Sequence, residues 1–89
     1  MLEVYWEYPK KDYLKDDPVA ILKKANSNQI ILYVYQGYDR YKCICSSEFI
    51  FLKGISNVKY SQEHNLKKAC SIIEKNMYKQ IERIVELIS

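Results

Sequence analysis

The sequence predicts a single α+β domain over residues 1–89, in which a small antiparallel sheet packs against a long C-terminal amphipathic helix. The expected order of elements is β-α-β-β-β-α. Two patterns support this prediction: period-two alternation in the first half of the chain, and apolar residues at helical spacing over residues 61–88. A hydrophobic content of 48%, with only two glycines and two prolines, is typical of a folded domain rather than a linker.

The first strand is expected in LEVYWEY, residues 2–8, where apolar side chains alternate with polar ones until Pro9. After a charged loop, Asp17 and Pro18 form a helix-start signal, because Asp is a good N-cap and Pro suits the first helical position. This pair predicts a short helix over residues 18–25, ended by Asn26, Ser27 and Asn28.

A hairpin is expected next, with strands 29–35 and 40–46 joined through residues 36–39. If Gly37 and Tyr38 form the tip, paired residues have numbers that sum to 75, so Leu32 lies opposite Cys43. One face of the hairpin is then largely apolar and carries Ile30, Leu32, Val34, Tyr41, Cys43 and Cys45. The other face pairs Ile31 with Ile44, Tyr33 with Lys42, and Tyr35 with Arg40.

Residues 48–53 form a further β run that is apolar on both sides and is broken by Gly54 and Asn57. The C-terminal helix is predicted over residues 61–88, with Ser61 as its N-cap. Its apolar sector contains Leu66, Ala69, Cys70, Ile73, Met77, Ile81, Ile84, Leu87 and Ile88.

That helix would be about 42 Å long, whereas a compact chain of this size is roughly 30 Å across. Two explanations stay open. The helix breaks near Asn76, or its last turns project and bury residues 84–88 against a second copy, which gives the hypothesis of a homodimer through the C-terminal helix.

The cysteines raise the question of whether they form a site or the inner wall of the sheet. Cys43 and Cys45 lie on the apolar hairpin face, so we expect them to be buried structural residues. Three free thiols indicate a reducing compartment, and we expect a cytoplasmic protein. A zinc site from Cys43, Cys45, His64 and Cys70 is disfavoured, because His64 and Cys70 lie about 120° apart around the helix.

Two surfaces are candidates for binding. The first is the second hairpin face and its tip, with Tyr33, Tyr35, Tyr38, Arg40 and Lys42, since tyrosines beside cations stack on bases or anchor protein interfaces. The second is a basic stripe on the last helix, formed by Lys68, Lys75, Lys79 and Arg83. The competing interpretations are tyrosines covered by another element and lysines that are merely solvated.

Several function classes are disfavoured by the residues present. The chain has one histidine, no glycine-rich phosphate loop and no nucleophile elbow, so we expect neither an enzyme nor a bound cofactor or metal. The longest apolar run of the hairpin, residues 30–35, is too short to cross a bilayer, so we expect no membrane association. Only Arg40 and Arg83 of the 14 basic residues are arginine, which disfavours specific nucleic-acid readout.

From Pro18 onward the predicted helix-strand-strand-strand-helix order is similar to that of double-stranded-RNA-binding domains. The segments PVAILKKA, EFIFLKG and NLKKACSII occupy the corresponding places over about seventy residues. The resemblance implies an RNA-binding function. In that family lysines open the last helix, whereas Lys67 and Lys68 come six residues or more after the expected N-cap, Ser61.

Two functional hypotheses follow. The first is a non-catalytic protein that binds another protein or a nucleoprotein complex and regulates or inhibits it by occupying its surface. A small complete chain that begins at Met1, is rich in tyrosine and lacks a catalytic motif suits a phage- or virus-encoded inhibitor of a host defence system. The alternative is an RNA-binding module. A net charge of +3 and the scarcity of arginine favour the first.

Overall fold

The computed structural model describes residues 2–9, 17–49, 58–61 and 63–88, which form an α+β domain as predicted. The elements are β1 (Val4–Glu7), β2 (Ala20–Lys24), β3 (Ile30–Gln36), β4 (Tyr41–Cys45), a 3-10 turn (Ser47–Phe49), β5 (Val58–Ser61), α1 (Leu66–Asn76) and α2 (Tyr78–Ile88). The five strands follow one another in the sheet in chain order, and each pairs antiparallel with the next.

The prediction of a helix over residues 18–25 is wrong, because Ala20–Lys24 form the strand β2. In the strand, Ala20 and Leu22 are fully buried, while Ile21 on the opposite side is half-buried. β2 hydrogen-bonds to β1 on one side and to β3 on the other. These two ladders and the burial of Leu22 outweigh the local Asp-Pro helix signal, so the predicted β-α-β-β-β-α order is not the one formed.

The hairpin of β3 and β4 is confirmed, but its register differs by two residues. Leu32 pairs with Cys45 and Val34 with Cys43, so that paired numbers sum to 77 rather than 75. The reason is a longer tip: the Gly37 amide donates to the Arg40 carbonyl at 2.8 Å and closes a loop over residues 37–40. Since side chains alternate with a period of two, a shift of two does not by itself move a residue to the other face of the hairpin.

A β-bulge changes the position of Ile31. Leu22 pairs with Leu32, but Lys23 pairs with Ile30, so Ile31 is an extra residue in β3. Ile31 was expected on the outer hairpin face with Ile44, yet it is fully buried next to Leu32. A bulge places two residues of one strand opposite one of its partner, and this explains why Ile31 joins the core.

The segment between β4 and α1 also differs from the prediction. Glu48 and Phe49 lie in the 3-10 turn rather than in a strand, and the rest of the expected β run, with Gly54 and Asn57, lies outside the described residues. The structure adds β5, which pairs with β4. Ser61 is the last residue of this strand and not a helix N-cap.

The C-terminal helix begins at Leu66 and is interrupted at Met77, so the break near Asn76 is the explanation that the structure supports. Asn65 is the N-cap, and its Oδ1 accepts a hydrogen bond from the Lys68 amide at 3.1 Å. Met77 has φ −108° and ψ 18°, outside the helical range. It is 1% exposed and its Sδ lies 3.8 Å from Cys43 Sγ, which fixes the junction of the two helices over the sheet.

The predicted apolar sector forms the helical side of the core. Ala69, Cys70, Ile73, Met77, Ile81 and Ile84 are buried, and Leu66 and Ile88 are partly buried. Leu87 is 57% exposed and does not belong to it. Val85 and Ile88 pack against this chain's own core, so the overlong-helix argument for a homodimer no longer holds.

Helix α1 contacts both edge strands of the sheet. At one edge it packs beside β5. At the other, Trp6 Nε1 of β1 donates a hydrogen bond to Glu74 Oε1 at 2.8 Å, and the Lys67 ammonium lies 5.5 Å from the centroid of the Tyr8 ring. β1 is an edge strand of the sheet. The contacts of Trp6 and Tyr8 with α1 attach this short N-terminal strand to the C-terminal half of the chain.

We expect Met77→Ala to destabilise the fold by about 2–4 kcal/mol, because it leaves a cavity where the helices meet the sheet. Met77→Leu conserves volume and is expected to cost less than about 1.5 kcal/mol. Urea unfolding followed by circular dichroism measures both. Equal losses for the two variants would show that the side-chain volume at the junction is unimportant.

Candidate binding surfaces

The sheet face away from the helices is the first candidate surface. The buried residues of the helices belong to one core cluster with Leu22, Leu32, Val34, Cys43 and Cys45 of the strands. These strand residues lie on the sheet face that the helices cover. Alternation therefore directs a second set of side chains outward. We call this side, which faces away from the two described helices, the open sheet face; it carries the half-buried residues Ile21, Lys23, Tyr33, Tyr35, Lys42 and Ile44.

Tyr33 and Tyr35 form the centre of the open sheet face. Their ring centroids lie 6.2 Å apart, with an angle of 33° between the ring planes. Tyr33 pairs with Ile44 of β4, and Tyr35 pairs with Lys42. Both tyrosines belong to the middle strand of five, so two ladders hold their backbone in place. The result is an ordered aromatic pair bordered by an aliphatic and a cationic side chain.

The pKa of Tyr35 is raised, chiefly by burial and further by Tyr33 and Asp17. Its hydroxyl therefore stays protonated at neutral pH and can donate a hydrogen bond to a partner. The ring supplies apolar contact area, while the hydroxyl supplies one polar contact. This combination is common at protein interfaces.

Lys23 on the open sheet face and Arg40 in the tip loop are already engaged in ion pairs. Lys23 Nζ lies 3.1 Å from a Glu7 carboxylate oxygen, and Arg40 Nε lies 3.0 Å from Asp39 Oδ1. The hydrogen bond and charge of Arg40 lower the pKa of Asp39. The positive charge of the open sheet face is thus partly neutralised within the chain.

The structure brings together three of the five predicted hairpin residues. Tyr33, Tyr35 and Lys42 are neighbours on the strands, whereas Tyr38 and Arg40 lie in the tip loop. Tyr38 is fully exposed there. A groove of ≈ 500 Å³ separates this loop from the segment before α1 and is lined by Gln36, Gly37, Tyr38, Asp39, Arg40, Tyr41, Glu63 and His64.

The second candidate is on the helices. All four residues of the predicted basic stripe, Lys68, Lys75, Lys79 and Arg83, are exposed. Sequence reasoning missed two apolar neighbours: Ile72 and Tyr78 are each 41% exposed. The signal was present, since Ile72 lies four residues after Lys68 and three before Lys75 on a helix, and so shares their face. We call Lys68, Ile72, Lys75, Tyr78 and Lys79 the outer helical surface.

The cysteines are buried structural residues, as predicted. Cys43 is 1% exposed, Cys45 is 2% exposed, Cys70 is fully buried, and all three are free thiols. Burial raises the pKa of Cys43 to about 12 and that of Cys70 to about 11. Thiols held in the protonated form are poor nucleophiles and poor metal ligands.

His64, the remaining member of the disfavoured zinc set, is exposed, and its carbonyl accepts a hydrogen bond from the Tyr41 hydroxyl at 3.3 Å. The exposed histidine and the buried thiols thus lie in different environments. Within residues 2–9, 17–49, 58–61 and 63–88, no three His, Cys, Asp or Glu side chains are grouped so as to hold a metal ion.

Comparisons with known proteins give no relative: no family model, no curated protein and no solved structure matches this chain. The element order of double-stranded-RNA-binding domains is not found in this structure, because the segment expected to form the first helix of that order forms the strand β2. With Asn65 as the N-cap, however, Lys67 and Lys68 fall in the first turn of α1 rather than beyond it. Among the described helices, none has the length and apolar character needed to cross a membrane.

We expect the three thiols to react with a water-soluble disulfide reagent only when the chain unfolds. In native buffer the labelling rate should increase with urea in parallel with the unfolded fraction. Rapid labelling of any one cysteine without denaturant would contradict the buried positions, and mass spectrometry of digested protein would identify it.

The raised thiol pKa values also predict how stability depends on pH. The pKa of Cys43 in the folded state lies above its ordinary value of 9.0, so its thiol contributes its full stabilisation below about pH 9. This contribution is lost as the pH rises towards about 12, where the buried thiol ionises. Unfolding free energy should therefore decrease above pH 9 more steeply in the wild type than in Cys43→Ala. Identical slopes would show that Cys43 ionises equally easily in both states.

Proposed function

We propose that this chain is a non-catalytic binding protein that regulates another protein by occupying its surface with the open sheet face. The observation that carries the proposal is the ordered pair Tyr33 and Tyr35 at the centre of that face, beside Ile44 and Lys42. Tyrosines with few rotatable bonds on a rigid strand lose little conformational entropy when they are covered by a partner.

The state of the neighbouring cations favours a protein partner over a nucleic acid. Binding to a phosphate backbone depends on cations that neutralise phosphates. Lys23 and Arg40 are paired with Glu7 and Asp39, so recruiting them to phosphates requires breaking these ion pairs. Ile21 and Ile44 also border the tyrosines, and their aliphatic side chains suit an apolar protein surface.

Regulation by occupancy requires no chemistry from this chain. A bound sheet face prevents the partner from using the same surface for a substrate or another subunit. The proposal therefore agrees with thiols that stay protonated and with a surface whose ionisable groups form local pairs. An inhibitor acting in this way has an effect that saturates when the partner is fully bound.

We expect Tyr33→Ser combined with Tyr35→Ser to abolish partner binding. Immobilised wild type should retain a protein from nuclease-treated extract of the cells in which the chain occurs, and the double variant should not. The purified partner should then bind directly, at least about tenfold more weakly to the double variant, and its activity should change saturably with added wild type.

Leu87→Ser is the control, because it removes an exposed apolar side chain from the helical side of the molecule and lies outside the outer helical surface. It should leave binding unchanged. Thermal unfolding must show that the double variant is folded. Retention of the same proteins by wild type and by the folded double variant would refute the proposal.

RNA binding is the second candidate, and the geometry of the tyrosine pair is the observation that favours it. The two half-buried rings beside Lys42 are candidates to stack on successive bases of a single strand. The same residues would then serve a different partner. The two candidates differ in how binding responds to salt, because phosphate contacts release counterions whereas an apolar protein contact does not.

With a pool of short single-stranded RNAs, we expect only weak binding that is lost between low and physiological salt. Fluorescence anisotropy at the two ionic strengths measures this, with Lys42→Ala as the variant that removes the phosphate-binding cation. Binding that persists at physiological salt and is lost in Tyr33→Ser would make RNA the function of the open sheet face.

A further inference from the structure

The outer helical surface lies on the other side of the molecule from the open sheet face, since the helices cover the opposite side of the sheet. The proposed function does not use it. Two of its residues, Ile72 and Tyr78, are each 41% exposed. A lone exposed isoleucine is ordinary on a protein surface. Ile72 is of interest because it lines a surface depression and has lysines beside it.

Ile72 is one of the residues that line a shallow depression in the surface of α1. The depression has a volume of ≈ 420 Å³ and is lined by Lys67, Lys68, Ser71 and Ile72. A second depression of ≈ 300 Å³ is lined by Ser71, Glu74, Lys75 and Tyr78. The two depressions share Ser71 as a lining residue; Ile72 lines the first and Tyr78 lines the second. We refer to the two neighbouring depressions together as the groove.

The charge around this groove is positive. Lys68, Lys75 and Lys79 are exposed, and in the described part of the chain none of them forms an ion pair. Glu74, the acidic residue that lines the groove, has its Oε1 hydrogen-bonded to Trp6. Of the other helical carboxylates, Glu82 lies three residues after Lys79 in the middle of α2, and Glu86 lies near the end of α2.

We propose that the outer helical surface binds an acidic segment of a protein partner. Carboxylates of the segment pair with Lys68, Lys75 and Lys79, and an apolar side chain between them fills the groove beside Ile72 and Tyr78. A nucleic-acid backbone would satisfy the lysines but offers no aliphatic group for Ile72. A segment with an apolar side chain between carboxylates complements both the exposed apolar residues of the groove and the lysines around it.

This surface is independent of the open sheet face, so the chain has two binding surfaces on opposite sides. One variant set can therefore test it without affecting the other. A fluorescein-labelled peptide of glutamates, with leucines at positions i, i+3, i+4 and i+7, is a suitable probe. A control peptide has serine at the leucine positions, and single-stranded oligothymidylate is the nucleic-acid control.

Anisotropy at physiological salt should show saturable binding of the leucine peptide, and at least about tenfold weaker binding of the serine peptide and of oligothymidylate. Ile72→Ser and, separately, the pair Lys75→Glu and Lys79→Glu should each weaken the leucine peptide by about tenfold or more. Leu87→Ser, an exposed apolar change elsewhere on α2, and Lys42→Glu, a charge reversal on the open sheet face, should leave it unchanged.

Three outcomes would overturn the proposal. They are the absence of peptide binding at about 1 mM, equal binding of the leucine and serine peptides, and binding that Ile72→Ser leaves intact in a folded variant. Tighter binding of oligothymidylate that is lost with the lysine reversals would assign the surface to nucleic acid instead. None of these results depends on Tyr33 or Tyr35, so failure here leaves the proposed function standing.

Discussion

The constraint on which this fold depends is the covering of one apolar sheet face by a single C-terminal segment. A five-stranded meander is one layer and cannot bury its own apolar face. Leu22, Leu32 and Val34 on that face are fully buried, and each gains about 1.5–3 kcal/mol from leaving water. The residues after β5 supply the helical layer that covers them.

The break at Met77 keeps the helical segment within the domain. A straight helix over residues 66–88 would be about 35 Å long, slightly more than the 33 Å of the longest dimension of the domain. Turning at Met77 keeps Ile81 and Ile84 over the core instead of extending them into solvent. The methionine side chain suits the junction because it is flexible enough to fill an irregular gap, here against Cys43.

In the described part of the chain the helices cover one face of the sheet, and this determines which side chains point away from the core. The inner side chains are committed to the core, so the tyrosines of β3 are placed on the opposite side with Lys42 and Ile44. The helices in turn present their lysines, together with Ile72 and Tyr78, away from the sheet. A two-layer domain thus has two separate outward surfaces, whose compositions differ because one is a pleated strand surface and the other a helical one.

The sequence by itself determined the α+β class, the faces of β3 and β4 apart from Ile31, the burial of Cys43 and Cys45, and the apolar sector of the C-terminal helices apart from Leu87. Periods of two and 3.6 carry this information locally, and the faces survive a register error of two residues. Only the tertiary structure decided that residues 20–24 form a strand, that Ile31 is a bulge residue and that Trp6 bonds to Glu74. These features depend on partners in other elements, 68 residues away for Trp6, and tertiary packing overrides the local preference of a short segment.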